Sequence, residues 1–390
     1  MKFEVFWKNP GYAARPELKK DIECDYLIVG GGITGVSAAY FLAKAGKKNI
    51  VLIEKHYIGS GATGKAAGTL VTRGERDSVN DTIRKYGIKK AKIFWRVTHE
   101  ALRDIKKIIA QEKIDCDAQS QDTLMCGFKG KNWDNLYKEY KAEKSIEGTT
   151  KLLKGLDLKK ELNSNLFDHG VLSKQHGLCV NPLKMIQGFS HAIERRGVSI
   201  YENTNLLRIA DHTAETHHGA IHFKKLIWAI DTDYPAEEIK NLRTTIIVTR
   251  QLTQHELAAI GFSQRKKIVW DSRKNENYFK VTKDSRILVG FGGIVVHKKH
   301  RGTDPHFPHL KQLQAFIKRI FPSLDLEIEY AWSGHFGVNK HYSKGPFVRF
   351  EKDSAAISGA GSQVVCVMAA KHVVHKLLNK KSPLEQFFGN

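Results

Sequence analysis

Apolar residues in this chain change pattern twice along its length. Tyr26-Leu27-Ile28-Val29 and Asn49-Ile50-Val51-Leu52-Ile53 are compact apolar blocks, the pattern of strands buried on both faces of a parallel sheet. Between them Val36 to Ala45 reads as a helix stopped at Gly46, a residue suited to the left-handed cap. Residues 81–113 set Ile83, Tyr86, Ile93, Phe94, Val97, Ala101, Leu102, Ile105, Ile108 and Ile109 at largely helical spacing among Lys and Arg, which predicts a long amphipathic helix with a core-facing stripe. Residues 128–164 are Lys-rich and polar and are expected to form exposed helices. An α/β pattern resumes over 176–235, with a helix over about 183–195, a strand over Val198-Ser199-Ile200-Tyr201-Glu202 and another over Leu226-Ile227-Trp228-Ala229-Ile230-Asp231. From 244 to 297 the chain alternates apolar and polar residues in short runs, with Asp284-Ser285 as a turn: an antiparallel sheet with one wet face. Ala356-Ile357-Ser358 and the glycines after it read as strand, turn and helix, and residues 1–24 as an extended lead-in.

The length, 390 residues, suits two domains, and 41% hydrophobic with 27% charged residues excludes a disordered or fibrous chain. No apolar run approaches the roughly 18 residues of a membrane helix, and the opening lacks the apolar core of a secretory signal, so a cytoplasmic protein is expected. Five scattered cysteines form no C-x-x-C and read as structural. A formal charge of +22 would suit a nucleic-acid or anionic-membrane partner, but the Lys pairs are spread along the whole chain, which favours a generally basic surface. Nucleic acid is therefore not an expected partner, and oligomeric state is left open.

The segment after the first strand narrows the chemistry. Gly30-Gly31-Gly32-Ile33-Thr34-Gly35 is a G-x-G-x-x-G lying between a strand and a helix. Gly30 allows the tight turn, Gly32 the approach of a pyrophosphate, and Gly35 close packing of helix on strand. Glu54, nineteen positions after Gly35, ends the second strand beside Lys55 and suits the hydroxyls of an adenosine ribose. Strand, helix, strand and terminal acid together predict a dinucleotide site. Ile58 to Leu70 then crowds Gly61, Ala62, Thr63, Ala67, Gly68 and Thr69 into one connection, enough small side chains for a backbone laid against a flat ligand.

On these residues the chain resembles the D-amino-acid-oxidase-like family of FAD-dependent oxidoreductases. The likeness continues in Gly197-Val198-Ser199-Ile200-Tyr201-Glu202-Asn203-Thr204-Asn205-Leu206, where it implies that the Leu206 backbone faces adenine. It extends through Asp271…Tyr278-Phe279-Lys280…Asp284-Ser285-Arg286-Ile287-Leu288-Val289-Gly290 and Tyr330-Ala331-Trp332-Ser333-Gly334, toward the branch of gamma-glutamylputrescine, glycine and sarcosine oxidases. The chain departs from the family at Asp231, where a small residue is usual, and at Gly359-Ala360-Gly361-Ser362-Gln363-Val364, where Gly-x-Ser-Gly-His-Gly is usual. The resemblance implies a mixed α/β (α+β) fold: a Rossmann-like FAD domain with a parallel sheet (1–80, 176–235, 340–390) interleaved with a substrate or cap domain on a mostly antiparallel sheet (81–175, 236–339). It assigns Gly30, Gly32, Ile33, Thr34, Gly35, Glu54, Lys55, Gly61, Ala62, Thr63, Ala67, Gly68, Thr69, Leu70, Leu206, Gly359, Gly361, Ser362 and Gln363 to FAD. With Lys65 at the histidine-like attachment position and no Cys between Trp332 and Gly359, the FAD is expected to be non-covalent.

The activity implied is oxidation of a C–N bond of an amine or amino acid by hydride transfer to flavin N5, giving an imine that hydrolyses. Oxygen or another acceptor takes the electrons. Lys280 is the candidate cation beside reduced flavin, with Tyr278, His335 and Arg73 as candidates for the substrate pocket. Two rival readings are a flavoprotein acting on an aminomethyl group of tRNA and a non-catalytic flavin-binding protein. His297, His300, His306 and His309 have a metal-like spacing, but Lys298, Lys299 and Arg301 among them oppose metal capture, and no metal is expected.

Overall fold

The structure, a computed structural model, describes residues 1–72, 78–131, 133–146, 149–262, 266–273, 276–297, 302–340 and 345–388. Two sheets organise it. In the first, strand Ile22–Val29 pairs in parallel with Ile50–Ile53 on one side and Ala220–Trp228 on the other. Val198–Tyr201 and Ser354–Ser358 extend the parallel core outward on either side, and Phe347–Phe350 closes one edge antiparallel. The two inner strands are buried on both faces, as continuous apolar blocks require.

Helices cover this sheet. The helix Ile33–Lys44 begins inside the glycine motif, a turn earlier than the apolar pattern suggests, and its residues Gly35 to Leu42 are all buried. It packs beside Gln363–Leu377 and Pro182–Glu194 in one core, which the long helix Val79–Gln111 joins through Val97, Ala101, Leu102, Ile105 and Ile108. Sequence division places residues 81–113 with the second unit, yet the buried stripe of this helix packs against the first. Gly87, at φ +76°, breaks the helix near its start.

The second sheet is antiparallel apart from one parallel pair, Lys267–Asp271 with Gln119–Phe128. Its backbone is the pairing of Ile239–Gln251 with Ile328–Asn339 and with Arg286–Phe291, followed by Asn277–Val281. Beyond these lie Phe167–Cys179 and, at the edge, Thr69–Val71. The expected turn at Asp284-Ser285 is present, with Ser285 at φ +65°. Residues 128–164 are not all helix: between helices Trp133–Ile146 and Gly155–Glu161 runs an edge strand, Lys151–Lys154, paired with Phe167–Cys179. Its two Leu side chains are half-buried between exposed Lys residues, a charge-guarded edge. Among the described residues no helix is long and apolar enough to cross a membrane.

The segment ahead of the first strand is fastened rather than loose. Glu202, fully buried, accepts from the Tyr12 hydroxyl, from Arg15 N–H at 2.6 Å and from Ile58 N–H at 2.6 Å. The Arg15 guanidinium reaches Glu194 and Ser190 on helix Pro182–Glu194.

One buried base makes the packing sensitive to pH. His372 on helix Gln363–Leu377 shares a 2.7 Å hydrogen bond with Ser382, and burial pushes its pKa down from 6.5 to about 4. A base whose folded pKa is depressed binds its proton more readily when unfolded. Its neutral form therefore contributes stability above pH 6.5 that is lost as pH falls toward 4, on the order of 3 kcal/mol in all. Between pH 7 and pH 4.5 the melting temperature of wild type should fall further than that of His372→Gln. Parallel curves would refute this.

Candidate active site

The C-terminal ends of the parallel strands and the near face of the second sheet enclose a single large cavity of about 1340 Å³. Its floor is the glycine motif. Gly30 sits at φ +114°, and a Cβ there would lie 2.4 Å from the Ala229 carbonyl, so only glycine fits the turn. A Cβ on Gly35 would lie 2.0 Å from the Gly30 carbonyl, the close helix–strand approach expected of that position. The helix after it starts at Gly32 with no side-chain cap on its own Ncap residue and no acid in its first turn; Thr63 Oγ1 accepts from Ile33 N–H at 3.0 Å.

A second helix start faces the same space. Ser362, the Ncap of Gln363–Leu377, makes no capping bond, and Gly361, Ser362 and Gln363 line the cavity. Gln363 Nε2 donates to the Thr63 carbonyl at 3.0 Å, tying this turn to the small-residue connection, while Gln363 Oε1 is buried without a partner. Two open helix starts and a buried orphan acceptor around one cavity suit an anionic ligand with hydrogen-bonding edges. Lys55 and Lys65 line the cavity near one another; Lys55 donates to Asp233 at 2.9 Å, and burial and the neighbouring Lys55 lower the Lys65 pKa.

Glu54 ends its strand at the cavity wall. Its carboxylate accepts from Gly31 N–H at 2.7 Å, His56 N–H at 3.0 Å and the Ser60 hydroxyl at 3.2 Å. A carboxylate has about four acceptor positions, so capacity remains for a ribose hydroxyl. Thr204, Asn205 and Leu206 line the same end. Of the residues assigned to FAD from sequence, Gly30, Gly32, Ile33, Thr34, Glu54, Lys55, Gly61, Ala62, Thr63, Ala67, Thr69, Leu206, Gly361, Ser362 and Gln363 line the cavity. Gly35, Gly68, Leu70 and Gly359 stand behind it: Gly35 packs on Gly30, Leu70 is fully buried, and Gly359 abuts Val338 and Asn339.

Asp231 also lines the cavity. Its backbone is left-handed, φ +48°, a conformation Asp tolerates better than most residues. The carboxylate accepts from Gly337 N–H at 2.9 Å, and burial pushes its pKa up. A Cβ on Gly337 would come within 2.6 Å of it, so the glycine makes the room.

At the far end the cavity opens into a box from the second sheet: Met125, Ile246, Ile268, Trp270, Tyr278 and Phe291, with Thr244 beside them. Tyr278 is held by burial as a neutral phenol, its pKa far above the ordinary value. Its ring occupies the space where a Cβ on Gly290 would be, 2.2 Å from the hydroxyl. His335 lines the cavity near Gly334 and Phe336. Lys280 does not. It is buried beneath the connection, its Nζ donating to the Gly68 carbonyl at 2.8 Å, and burial lowers its pKa. Arg73 and His300 lie outside the described residues, as do the cations at 298, 299 and 301. His306 and His309 pack ring to ring, 4.3 Å between centroids, and both pKa values are pushed down by burial and Arg243 among other causes.

Sequence reading missed most of the box. Met125 and Trp270 sit on the two strands joined in parallel, and Asp271 with Arg273 follows at the rim, where the guanidinium donates to both carboxylate oxygens. The apolar block Lys267-Ile268-Val269-Trp270 was visible, but not the partner strand that turns it toward the cavity.

Comparison with known proteins fits this geometry. Gamma-glutamylputrescine oxidoreductase of Escherichia coli (strain K12) is 28% identical over 395 residues, covering 97% of this chain and 89% of that protein. Among solved structures, glycine oxidase from Geobacillus kaustophilus superposes with a TM-score of 0.79 at 15% identity, covering 94% of this chain and 98% of that one. The L-alpha-glycerophosphate oxidase from Mycoplasma pneumoniae, solved with FAD bound, superposes with a TM-score of 0.72 at 19% identity, covering 92% and 95%. Residues 25–374 match the family described as FAD dependent oxidoreductase (DAO), and the chain belongs to that family: a flavoprotein with a Rossmann FAD-binding domain and FAD as its cofactor.

Proposed function

We propose that the chain oxidises the C–N bond of an amine, with FAD bound non-covalently along the cavity from Glu54 to the box of Tyr278. The observation that carries this reading is the continuity of the cavity: one space joins the glycine cradle and two open helix starts to an apolar, aromatic box. The division into a cofactor unit (1–80, 176–235, 340–390) and a substrate unit (81–175, 236–339) belongs to the same proposal, with the helix Val79–Gln111 packing on the core of the cofactor unit. When bound, FAD accepts a hydride at N5 from the carbon beside the nitrogen, and the resulting imine hydrolyses in water.

The residues of the box prepare the substrate. An ammonium group entering among Met125, Ile268, Trp270 and Phe291 loses hydration, which lowers its pKa and favours the neutral amine that can give up a hydride. Tyr278, a phenol that keeps its proton, orients the nitrogen as a hydrogen-bond partner and does not act as a base. His335 stands on the lining as a second polar contact. The protonated form of Lys280, which the Gly68 carbonyl favours and burial opposes, would favour negative charge developing on oxygen during reoxidation.

Charge pairing favours an amine over an α-amino acid. Arg273 is held by Asp271 and Arg84 by Asp81, so these guanidinium groups of the lining already have carboxylate partners. A substrate carboxylate would compete with Asp271 for Arg273 or with Asp81 for Arg84. The name of the E. coli relative, with gamma-glutamylputrescine in it, supports the same choice.

Purified protein mixed anaerobically with single compounds should lose its oxidised-flavin absorbance with an amine and keep it with glycine, sarcosine or proline. Bleaching by amino acids alone would overturn the amine reading, and bleaching by none would overturn the oxidation reading. Admission of air to the reduced enzyme then tests Lys280. Lys280→Met should slow reoxidation by oxygen at least about tenfold with the bleaching step less affected, and an unchanged rate would remove Lys280 from the chemistry.

A further inference from the structure

Three side chains from three separate parts of the chain converge on the connection between helix Ala62–Lys65 and strand Thr69–Val71. Trp332 Nε1 donates to the Lys65 carbonyl at 2.8 Å, Trp7 Nε1 to the Ala66 carbonyl at 2.7 Å, and Lys280 Nζ to the Gly68 carbonyl at 2.8 Å. Trp7, Trp332 and Ala67 share a buried cluster with Ile246, Val248 and Leu288, and the Lys280 ammonium lies 5.3 Å from the Trp7 ring centroid.

The consequence follows from peptide geometry. In a planar trans peptide the carbonyl and the next residue's N–H point in opposite directions. Carbonyls 66 and 68, held into the cluster, therefore turn the N–H groups of Ala67 and Thr69 toward the cavity, which both residues line. Strand pairing agrees for Thr69. Val180 N–H bonds the Gly68 carbonyl, so Thr69 faces Cys179 at a position where the two exchange no hydrogen bonds. Its N–H is directed off the sheet edge.

Trp7 is placed by anchors on both sides. Lys2 exchanges backbone hydrogen bonds with Glu329 and Ala331, and Phe6 packs edge-on against Tyr330 at 5.2 Å. On the other side the Lys8 carbonyl accepts from Asn181, and Asn9 Nδ2 donates to Gln187 at 2.8 Å. Such fastening of an otherwise polar lead-in holds one indole N–H against one carbonyl.

We propose that Trp7 is a positioning residue for the flavin: by holding the Ala66 carbonyl, it keeps the Ala67 N–H aimed at the ring of bound FAD, beside the Thr69 N–H that Lys280 and Val180 set through the Gly68 carbonyl. The connection lies between the glycine cradle and the Tyr278 box, which is where the ring must sit to meet a substrate in that box. Reduced flavin carries more negative charge than oxidised flavin. Donors fixed in place therefore stabilise the reduced form more and raise the flavin potential. Trp7 acts only through the connection.

The test is Trp7→Phe, which keeps a packed ring and removes one donor. Three quantities are measured: the dissociation constant of FAD from titrated apoprotein, the midpoint potential of bound flavin, and the melting temperature of apoprotein. FAD should bind about fivefold more weakly, the change expected for one neutral hydrogen bond, and the potential should move negative. Apoprotein melting should fall by only about a few degrees, because the Ala66 carbonyl loses its donor with or without FAD. Wild-type affinity and potential in Trp7→Phe would overturn the proposal, and so would a lower apoprotein melting temperature with both flavin quantities unchanged. If Trp7→Phe does not fold, replacing Trp7 by benzothienylalanine keeps the indole shape without its N–H and is read by the same outcomes.

Discussion

Two helix starts that open onto one cavity without a cap from their own Ncap residues are the feature around which the rest of this structure is arranged. A missing cap commonly costs about 1 kcal/mol, yet the helices starting at Ile33 and Gln363 both forgo one at their Ncap residues and carry no acid in their first turns. Both open onto one cavity. Parallel pairing of Ile22–Val29 with Ala220–Trp228, and of that strand with Ser354–Ser358, brings the two helix starts to the same edge of the sheet. The glycines between strand and helix follow from this placement, since a side chain at Gly30 or Gly35 would strike the backbone that brings the first helix so close. Small residues in the connection after Glu54 extend the same logic: N–H groups face the ligand, and carbonyls need partners behind them.

Asp231 shows how a departure from the family pattern is absorbed. The strand end Ala229-Ile230-Asp231 turns left-handed at its last residue, and Asp is among the few side chains that accept such a turn. Its carboxylate would crowd a neighbouring strand, but Gly337 leaves the space and supplies an N–H to it. The Ser358 hydroxyl completes the junction by donating to the Asp231 carbonyl at 2.8 Å. Asp231 thus links, through its carboxylate and its backbone carbonyl, segments of three strands that meet beside the cavity.

Local signals made the cofactor half of the fold legible, because each depends on residues close in sequence. Apolar blocks, the glycine spacing and the acid at Glu54 all fall within residues 26–54. The substrate half was harder to read. Strand Phe167–Cys179 carries Asp168, His169, Lys174 and His176 among its apolar residues, and its partner Gln119–Phe128 opens with polar residues; the two become intelligible only as a pair. The long helix was visible as a helix, while the side of the molecule it packs on depends on helix Gln363–Leu377, which lies far along the chain. Trp7 gave no signal at all. Its hydrogen bond spans 59 positions, and nothing in Val5-Phe6-Trp7 distinguishes an indole aimed at a carbonyl from an ordinary apolar anchor.

Net charge and site chemistry prove to be separate matters in this chain. The +22 excess resides largely in scattered Lys residues, such as Lys89 and Lys90 or Lys159 and Lys160, exposed on helices away from the cavity. Within the cavity charge is organised by position. Lys55, paired with Asp233, and Lys65 lie toward the cradle, while Arg273 at the rim of the box is cancelled by Asp271. Lys280 is withdrawn behind the Gly68 carbonyl. A substrate entering this end meets rings and a neutral phenol, with Lys280 one layer back. Under the proposed amine reading, loss of hydration and nearby positive charge would favour the neutral amine over its ammonium form, so the arrangement that seats the cofactor would also set the protonation state its substrate must reach.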